Sequence, residues 1–208
     1  MMGNETALRK VQQRPRKSLA FFLGFLRRPK AVGSVIPSSR FLEQRIVDVA
    51  AVAGAKVVVE LGPGTGGTTR AILDALPEKA RLLAIELDPE FVDLLKNETD
   101  PRLIVHQGSA ADIREALRSH GLPSPDAVIS GIPFSTMPDE LGTKILNEVW
   151  ASLAENGRFV AYQFRNRVGQ LGRRLFGKPE VELELLNAPP MRVYRWHKRE
   201  ALSRAKSA

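Results

Sequence analysis

Two carboxylates and a run of glycines are the residues of this chain whose types and spacing suit them to chemistry. Glu60 stands just before Gly62-Pro63-Gly64-Thr65-Gly66-Gly67. Such a turn lets a ligand approach the backbone closely and meet the N-terminus of the next helix. Gly62, Gly64 and Gly67 satisfy the G-x-G-x-x-G spacing of dinucleotide sites, so spacing alone leaves that class open. The carboxylate at Glu60 argues otherwise, because it repels a pyrophosphate and welcomes an ammonium. Glu86, 22 residues after Gly64, closes the next apolar run. A carboxylate there accepts hydrogen bonds from both hydroxyls of a ribose. Asp88, two positions on, is placed to cap the following helix. The chain has no Cys, and its three His are scattered. A disulfide framework, a thiolate nucleophile and a cysteine-ligated metal are therefore excluded, and no metal site is expected.

The elements that must hold these groups read as a βα alternation. Ser38-Ser39 caps a helix running to about Val52, since Phe41, Leu42, Arg45, Ile46 and Val49 recur at helical intervals. Strands are expected at 56–61, 81–87, 103–106, 126–130 and 157–164. Helices fall at 68–76, 89–97, 112–120 and 140–153. Short apolar strands between helices imply a parallel sheet covered on both faces. Residues 181–186 and 191–197, separated by Asn187-Ala-Pro-Pro190, suggest an antiparallel hairpin added at the sheet edge. Seven strands result. Arg165 to Phe176 alternates cationic and apolar residues, and two readings stand side by side: a lipid-facing lid with Leu171, Leu175 and Phe176 dipping inward, or a flexible surface loop.

With 208 residues and 43% hydrophobic content, the chain suffices for one domain with a sizeable core. Net charge is +8, unevenly placed: residues 1–30 carry +7, residues 31–157 carry −7 and residues 158–208 carry +8. An acidic body between basic ends suits a polyanionic partner, a membrane surface or a nucleic acid. The longest early apolar run, Leu19 to Leu26, is eight residues and too short to span a bilayer. Phe21, Phe22 and Phe25 spread around its circumference, as suits a helix lying at a bilayer interface, and packing on its own domain is the alternative. The division expected is 1–36 as a membrane-associating helix and linker, 37–198 as the catalytic domain, and 199–208 as a polar tail.

Val59-Glu-Leu-Gly-Pro-Gly-Thr-Gly66 with Ala84-Ile-Glu-Leu-Asp88 resembles the class I S-adenosylmethionine-dependent methyltransferases, which implies an α/β, Rossmann-like fold. By that resemblance Glu60 holds the methionine amino group, and Gly62, Gly64, Thr65 and Gly66 face the carboxylate and ribose. Glu86 takes the ribose diol, Leu87 lines the adenine, and Ser130 closes the cofactor side of strand four. Gly108-Ser109-Ala110 lies where the family often has Gly-Asp-Ala. With Ser109 in place of the Asp, adenine recognition falls to its hydroxyl, to Asp112 or to backbone groups beside Ala110.

The acceptor is expected at Ser130-Gly-Ile-Pro-Phe134. Relatives that methylate the amino groups of DNA and RNA carry Asn or Asp where this chain has Gly131, so the departure counts against nucleic acid and is tolerable for an aliphatic lipid amine. A closer resemblance covers nearly the whole chain. Phe21-Phe22, Arg28-Pro-Lys30, Val32-Gly-Ser-Val-Ile-Pro-Ser-Ser-Arg40 and Asn187-Ala-Pro-Pro190 together resemble the bacterial soluble-type phospholipid N-methyltransferases. That resemblance implies methylation of phosphatidylethanolamine to phosphatidylcholine, at an anionic membrane surface on the cytoplasmic side. Its alternatives are an ornithine lipid N-methyltransferase, an RNA adenine N6-methyltransferase and a non-catalytic lipid-binding module. Tyr162 and His106 are the candidate polar contacts for the amine, and Phe134 and Trp196 the candidate ring faces for a methylated cation. Arg165, Arg192, Arg195 and Lys144 compete for the lipid phosphate.

Overall fold

A computed structural model describes residues 38–199. The membrane-associating helix and the polar tail expected from the sequence lie outside the described residues.

Ser39 opens the first helix, α1 (Arg40–Ala50), its side chain accepting a hydrogen bond from the Leu42 N–H at 3.2 Å. The helix stops two residues sooner than its periodicity suggests. Ala51 turns left-handed at φ 53°, and its N–H reaches back to the carbonyls of Val47 and Asp48. The alternation then runs β1 (Val57–Leu61), α2 (Gly67–Ala75), β2 (Arg81–Glu86), α3 (Pro89–Leu95), β3 (Leu103–Gln107), α4 (Ile113–Ser119), β4 (Ala127–Ser130), α5 (Asp139–Ser152), β5 (Arg158–Gln163), α6 (Arg167–Phe176), β6 (Glu180–Glu184) and β7 (Met191–His197).

The strands form one seven-stranded sheet in the order β3-β2-β1-β4-β5-β7-β6. The five central βα strands are parallel, and β7 runs antiparallel to both β5 and β6. Every residue of β1 is buried because the sheet is covered on both sides. Val57, Val59 and Leu61 point into a core with Ile145, Leu146 and Val149 of α5. Val58 points the other way, against Leu42, Ile46 and Ile72 of α1 and α2. Glu60 follows Val58 on that second face.

Neither reading of residues 165–176 survives. The segment is the packed helix α6, with Val168 and Leu171 buried and Phe176 stacked on Trp150 at 4.3 Å. Gly169 and Gly172, three apart, let it settle onto β7. A Cβ at Gly169 would lie 2.7 Å from the Tyr194 ring, and one at Gly172 would overlap the Trp196 ring. Such close approach needs glycine on both turns, although glycine disfavours a helix in isolation. Since α6 leaves the carboxyl end of β5 and feeds the start of the parallel strand β6, Arg173 and Arg174 are carried away from the carboxyl rim.

Candidate functional site

The carboxyl ends of β1, β2, β4 and β5 converge on the glycine turn. Glu60 is 1% exposed, and its Oε2 accepts a 2.6 Å hydrogen bond from Thr69 Oγ1 in the first turn of α2. Its Oε1 is buried with no hydrogen-bond partner among the described residues. Burial pushes this carboxyl up to about 7, and the neighbouring Glu86 and Glu43 charges add to the rise. The Thr69 hydroxyl and Arg70 pull it back. A cation brought to Oε1 would satisfy the orphaned oxygen and restore full ionisation.

Glu86 ends β2 and is also buried. Its Oε2 accepts from the Gly64 N–H at 3.0 Å, and its Oε1 from the Leu87 and Asp88 N–H groups at 2.7 and 3.0 Å. Three of a carboxylate's four or so acceptor positions are therefore filled, leaving one for a ribose hydroxyl. A second hydroxyl would have to share with the Gly64 amide. Gly64 has φ +57°, and a Cβ there would meet nothing within 4 Å. The turn thus opens on space at the point where a ligand would pass. Asp88 caps α3, accepting from the Glu90 N–H at 2.9 Å.

The neighbouring groups divide by what they already hold. Ser109 Oγ accepts from the Ala111 N–H at 3.2 Å, while Ala110 is buried beside it. Asp112 lies on the surface 3.5 Å from Lys144, which leaves Ser109 and the backbone for an adenine. Leu87 packs against the α5-side core, Thr65 is exposed on the turn, and Ser130 is fully buried. Phe134 is 1% exposed and Trp196 is stacked on Phe159 at 5.4 Å, so both rings are core and neither offers a face to a ligand.

Tyr162 comes to the site. It lies on the Glu60 side of the sheet with its hydroxyl 3.2 Å from Thr68 Oγ1. Burial and the Glu60 charge push its phenol well above the ordinary range, so it stays protonated and acts through hydrogen bonding. A Cβ at Gly131 would collide with that hydroxyl, so the missing side chain at 131 is what gives Tyr162 its place. His106 is not brought there. It faces the opposite side of the sheet, its Nδ1 3.1 Å from His120 Nε2. Burial and the second imidazole hold its pKa below the ordinary value. Of the four competing cations, Lys144 pairs with Asp112 and Arg195 with Glu180, and Arg192 donates to the Phe164 carbonyl. Arg165 is exposed.

Four residues were missed by sequence reasoning: Thr68, Thr69, Glu43 and Arg70, whose charge acts on both Glu43 and Glu60. Thr68 and Thr69 sit one and two places past Gly67, and a hydroxyl directly after a glycine turn was a signal available for both. Glu43, in the first turn of α1, has no such signal. Only the fold brings its Oε1 to 2.6 Å from where a Gly67 Cβ would stand. Burial raises its carboxyl, and Arg70 opposes the rise. No three His, Asp or Glu side chains among the described residues converge as metal ligands. No helix among them is long and apolar enough to cross a membrane.

Residues 58–157 match the family model described as a methyltransferase domain. The ornithine lipid N-methyltransferase of Singulisphaera acidiphila is 34% identical over 182 residues, covering 86% of this chain and 95% of that protein. The ribosomal RNA small subunit methyltransferase A of Phenylobacterium zucineum is 34% identical over 119 residues, covering 56% of this chain and 38% of that protein. Among solved structures, the 1,6-didemethyltoxoflavin N1-methyltransferase of Burkholderia thailandensis superposes with a TM-score of 0.63 at 17% identity, covering 90% of each chain. The chain belongs to the class I S-adenosylmethionine-dependent methyltransferases, is related to ornithine lipid N-methyltransferase, and uses S-adenosylmethionine as methyl donor. The end-to-end match to the Singulisphaera protein overturns the resemblance to phosphatidylethanolamine N-methyltransferases drawn from the sequence, and with it the expected conversion to phosphatidylcholine.

Proposed function

We propose that this methyltransferase transfers a methyl group to the amine of an ornithine lipid at a membrane surface. The observation that carries the reading is the 34% identity spanning 95% of an ornithine lipid N-methyltransferase. Two features of the site support it. Gly131 leaves no side chain to accept a proton from an adenine amine, and Tyr162 occupies the space an Asn would need. The mouth also holds charges of both signs suited to a zwitterionic headgroup. Glu43 faces the ammonium, and Arg70, whose field acts on both Glu43 and Glu60, takes the carboxylate.

When bound, S-adenosylmethionine supplies a methyl group on a sulfonium leaving group that is already activated. The chain's own work is then alignment, exclusion of water and handling of the amine's proton. Glu60 Oε1 takes the donor's ammonium, and the free acceptor position of Glu86 takes a ribose hydroxyl. Gly64 gives room along the turn, while Gly62 and Gly66, both at positive φ, let the turn pack against Ile132 and Leu95. Ser109 and the backbone around Ala110 meet the adenine. The acceptor amine, with a free pKa near that of Lys, about 10, must lose a proton before its lone pair can form the new C–N bond. Glu43 steadies the cation on arrival, and the neutral Tyr162 hydroxyl, fixed by Thr68, orients the nitrogen. The proton leaves to solvent.

Incubation with methyl-labelled cofactor and purified ornithine lipid, phosphatidylethanolamine and ribosomal RNA, each separately, tests the reading by mass spectrometry. Ornithine lipid is expected to gain one or more methyl masses on its headgroup. Label in RNA alone, or in no lipid, overturns it.

A further inference from the structure

We propose that the carboxyl rim beside the site is a membrane-docking surface whose occupant is the headgroup layer of an anionic bilayer. The inference rests on the lipid-amine reading above and names the surface on which the acceptor is met. Eight large hydrophobic residues among those described are substantially exposed, and four of them stand on this rim. Phe164 follows β5 directly and is 51% exposed. Leu185 and Leu186, at 67% and 63% the most exposed of all, follow β6, which runs parallel to β5. Phe41, 42% exposed, is in the first turn of α1 beside Leu186, and the two line one groove of about 430 Å³.

These side chains are held out, not left loose. The Leu186 N–H donates to Glu184 Oε1 at 2.8 Å. Asn187 accepts from the Ser39 N–H and donates to the Pro189 carbonyl, both at 2.8 Å. The turn therefore presents adjacent leucines from a fixed backbone, an arrangement that water disfavours and an acyl boundary rewards. The groove behind them is walled by Arg45, Glu182 and Glu184, which pair with one another at 2.7 Å. It is too charged for an acyl chain, so the leucines dip into the membrane from outside it.

Charge selects the kind of bilayer. Arg40 lies over the Phe41 ring at 4.9 Å, and Arg165 follows Phe164. Both are exposed and neither is ion-paired within the described residues. A cation adjoining a protruding aromatic on each side of the turn matches an apolar layer beneath anionic headgroups.

The chain has no Cys, which permits a clean test with single labels. An environment-sensitive dye is placed at Leu185→Cys in the full chain, and separately at Glu155→Cys on the opposite rim. Each protein is titrated with phosphatidylglycerol vesicles lacking ornithine lipid. The dye at 185 is expected to shift to the blue and the dye at 155 to stay unchanged. The double variant Leu185→Ser, Leu186→Ser should bind those vesicles about tenfold more weakly with unaltered cofactor affinity. No shift at 185, equal shifts at both positions, or wild-type vesicle affinity in the double variant overturns the surface. Docking as expected, with ornithine lipid left unmethylated, supports the surface and refutes the acceptor.

Discussion

Lowering the pH from 7.0 to 5.5 should weaken cofactor binding about fifteenfold, and the reason lies in one buried oxygen. Glu60 Oε1 has no partner among the described residues, and the carboxyl is pushed up to about 7. If the ligand's ammonium binds only the ionised form, the apparent dissociation constant scales as one plus the ratio of protonated to ionised carboxyl. That sum is about 2 at pH 7.0 and about 33 at pH 5.5, a difference of about 1.7 kcal/mol. Binding must also expel a proton, about half an equivalent at pH 7.0 and nearly a whole one at pH 5.5. Calorimetry with S-adenosylhomocysteine in buffers of differing ionisation enthalpy measures both quantities. Glu60→Gln should bind more weakly at pH 7.0 and lose the slope. His106, held below its ordinary value by burial and by His120, lies on the far face of the sheet, so His106→Gln should leave the profile intact. A wild-type affinity that is flat across this window, without proton release, refutes the reasoning. The same group sets a stability trend. An acid whose folded pKa is raised from 4.5 to about 7 favours the unliganded fold below pH 4.5, and that contribution is lost as pH climbs through 7. The difference is about 3 kcal/mol, and ligand binding should remove most of it.

Thr69→Val removes the 2.6 Å hydrogen bond that holds the Glu60 carboxyl down. The midpoint of the pH profile should move above 7, with a stability loss of about 1 to 2 kcal/mol by denaturant titration. An unmoved midpoint would show that the hydroxyl does not act on the carboxylate. Tyr162→Phe should slow turnover on lipid about tenfold at saturating cofactor, with cofactor affinity unchanged. An unaltered turnover number removes Tyr162 from the acceptor's contacts. Gly172→Ala forces a methyl group against Trp196 and should destabilise the fold by about 1 to 3 kcal/mol, read as a lower Tm. A wild-type Tm would mean that α6 rides clear of β7.

The sheet was legible because β1 to β5 are short apolar runs at regular spacing, and the hairpin because Val181 to Leu186 alternates before a Pro-rich turn. Glu60 and Glu86 were legible because their positions are local, each at the end of a strand and beside a turn. What stayed hidden was pairwise and distant. Helix α6 reads as a lid or a loop because Gly169 and Gly172 depress helix propensity, and their purpose appears only against Tyr194 and Trp196 of β7. Phe134 and Trp196 look like ring faces for a cation, yet both are consumed by the core. His106 and Tyr162 both end strands, but register turns them to opposite faces, which strand ends alone do not reveal. Glu43 is separated from the glycine turn by a helix and a strand, and only packing of α1 on α2 brings it near.

Asn187 grips the backbone of Ser39, 148 positions earlier, while Glu182 and Glu184 grip Arg45. The final described hairpin is therefore a clasp for the first described helix, joining parts of the fold far apart along the chain. The helix is held twice, by this clasp along its edge and by Leu42 and Ile46 packed in one core cluster with Ile72.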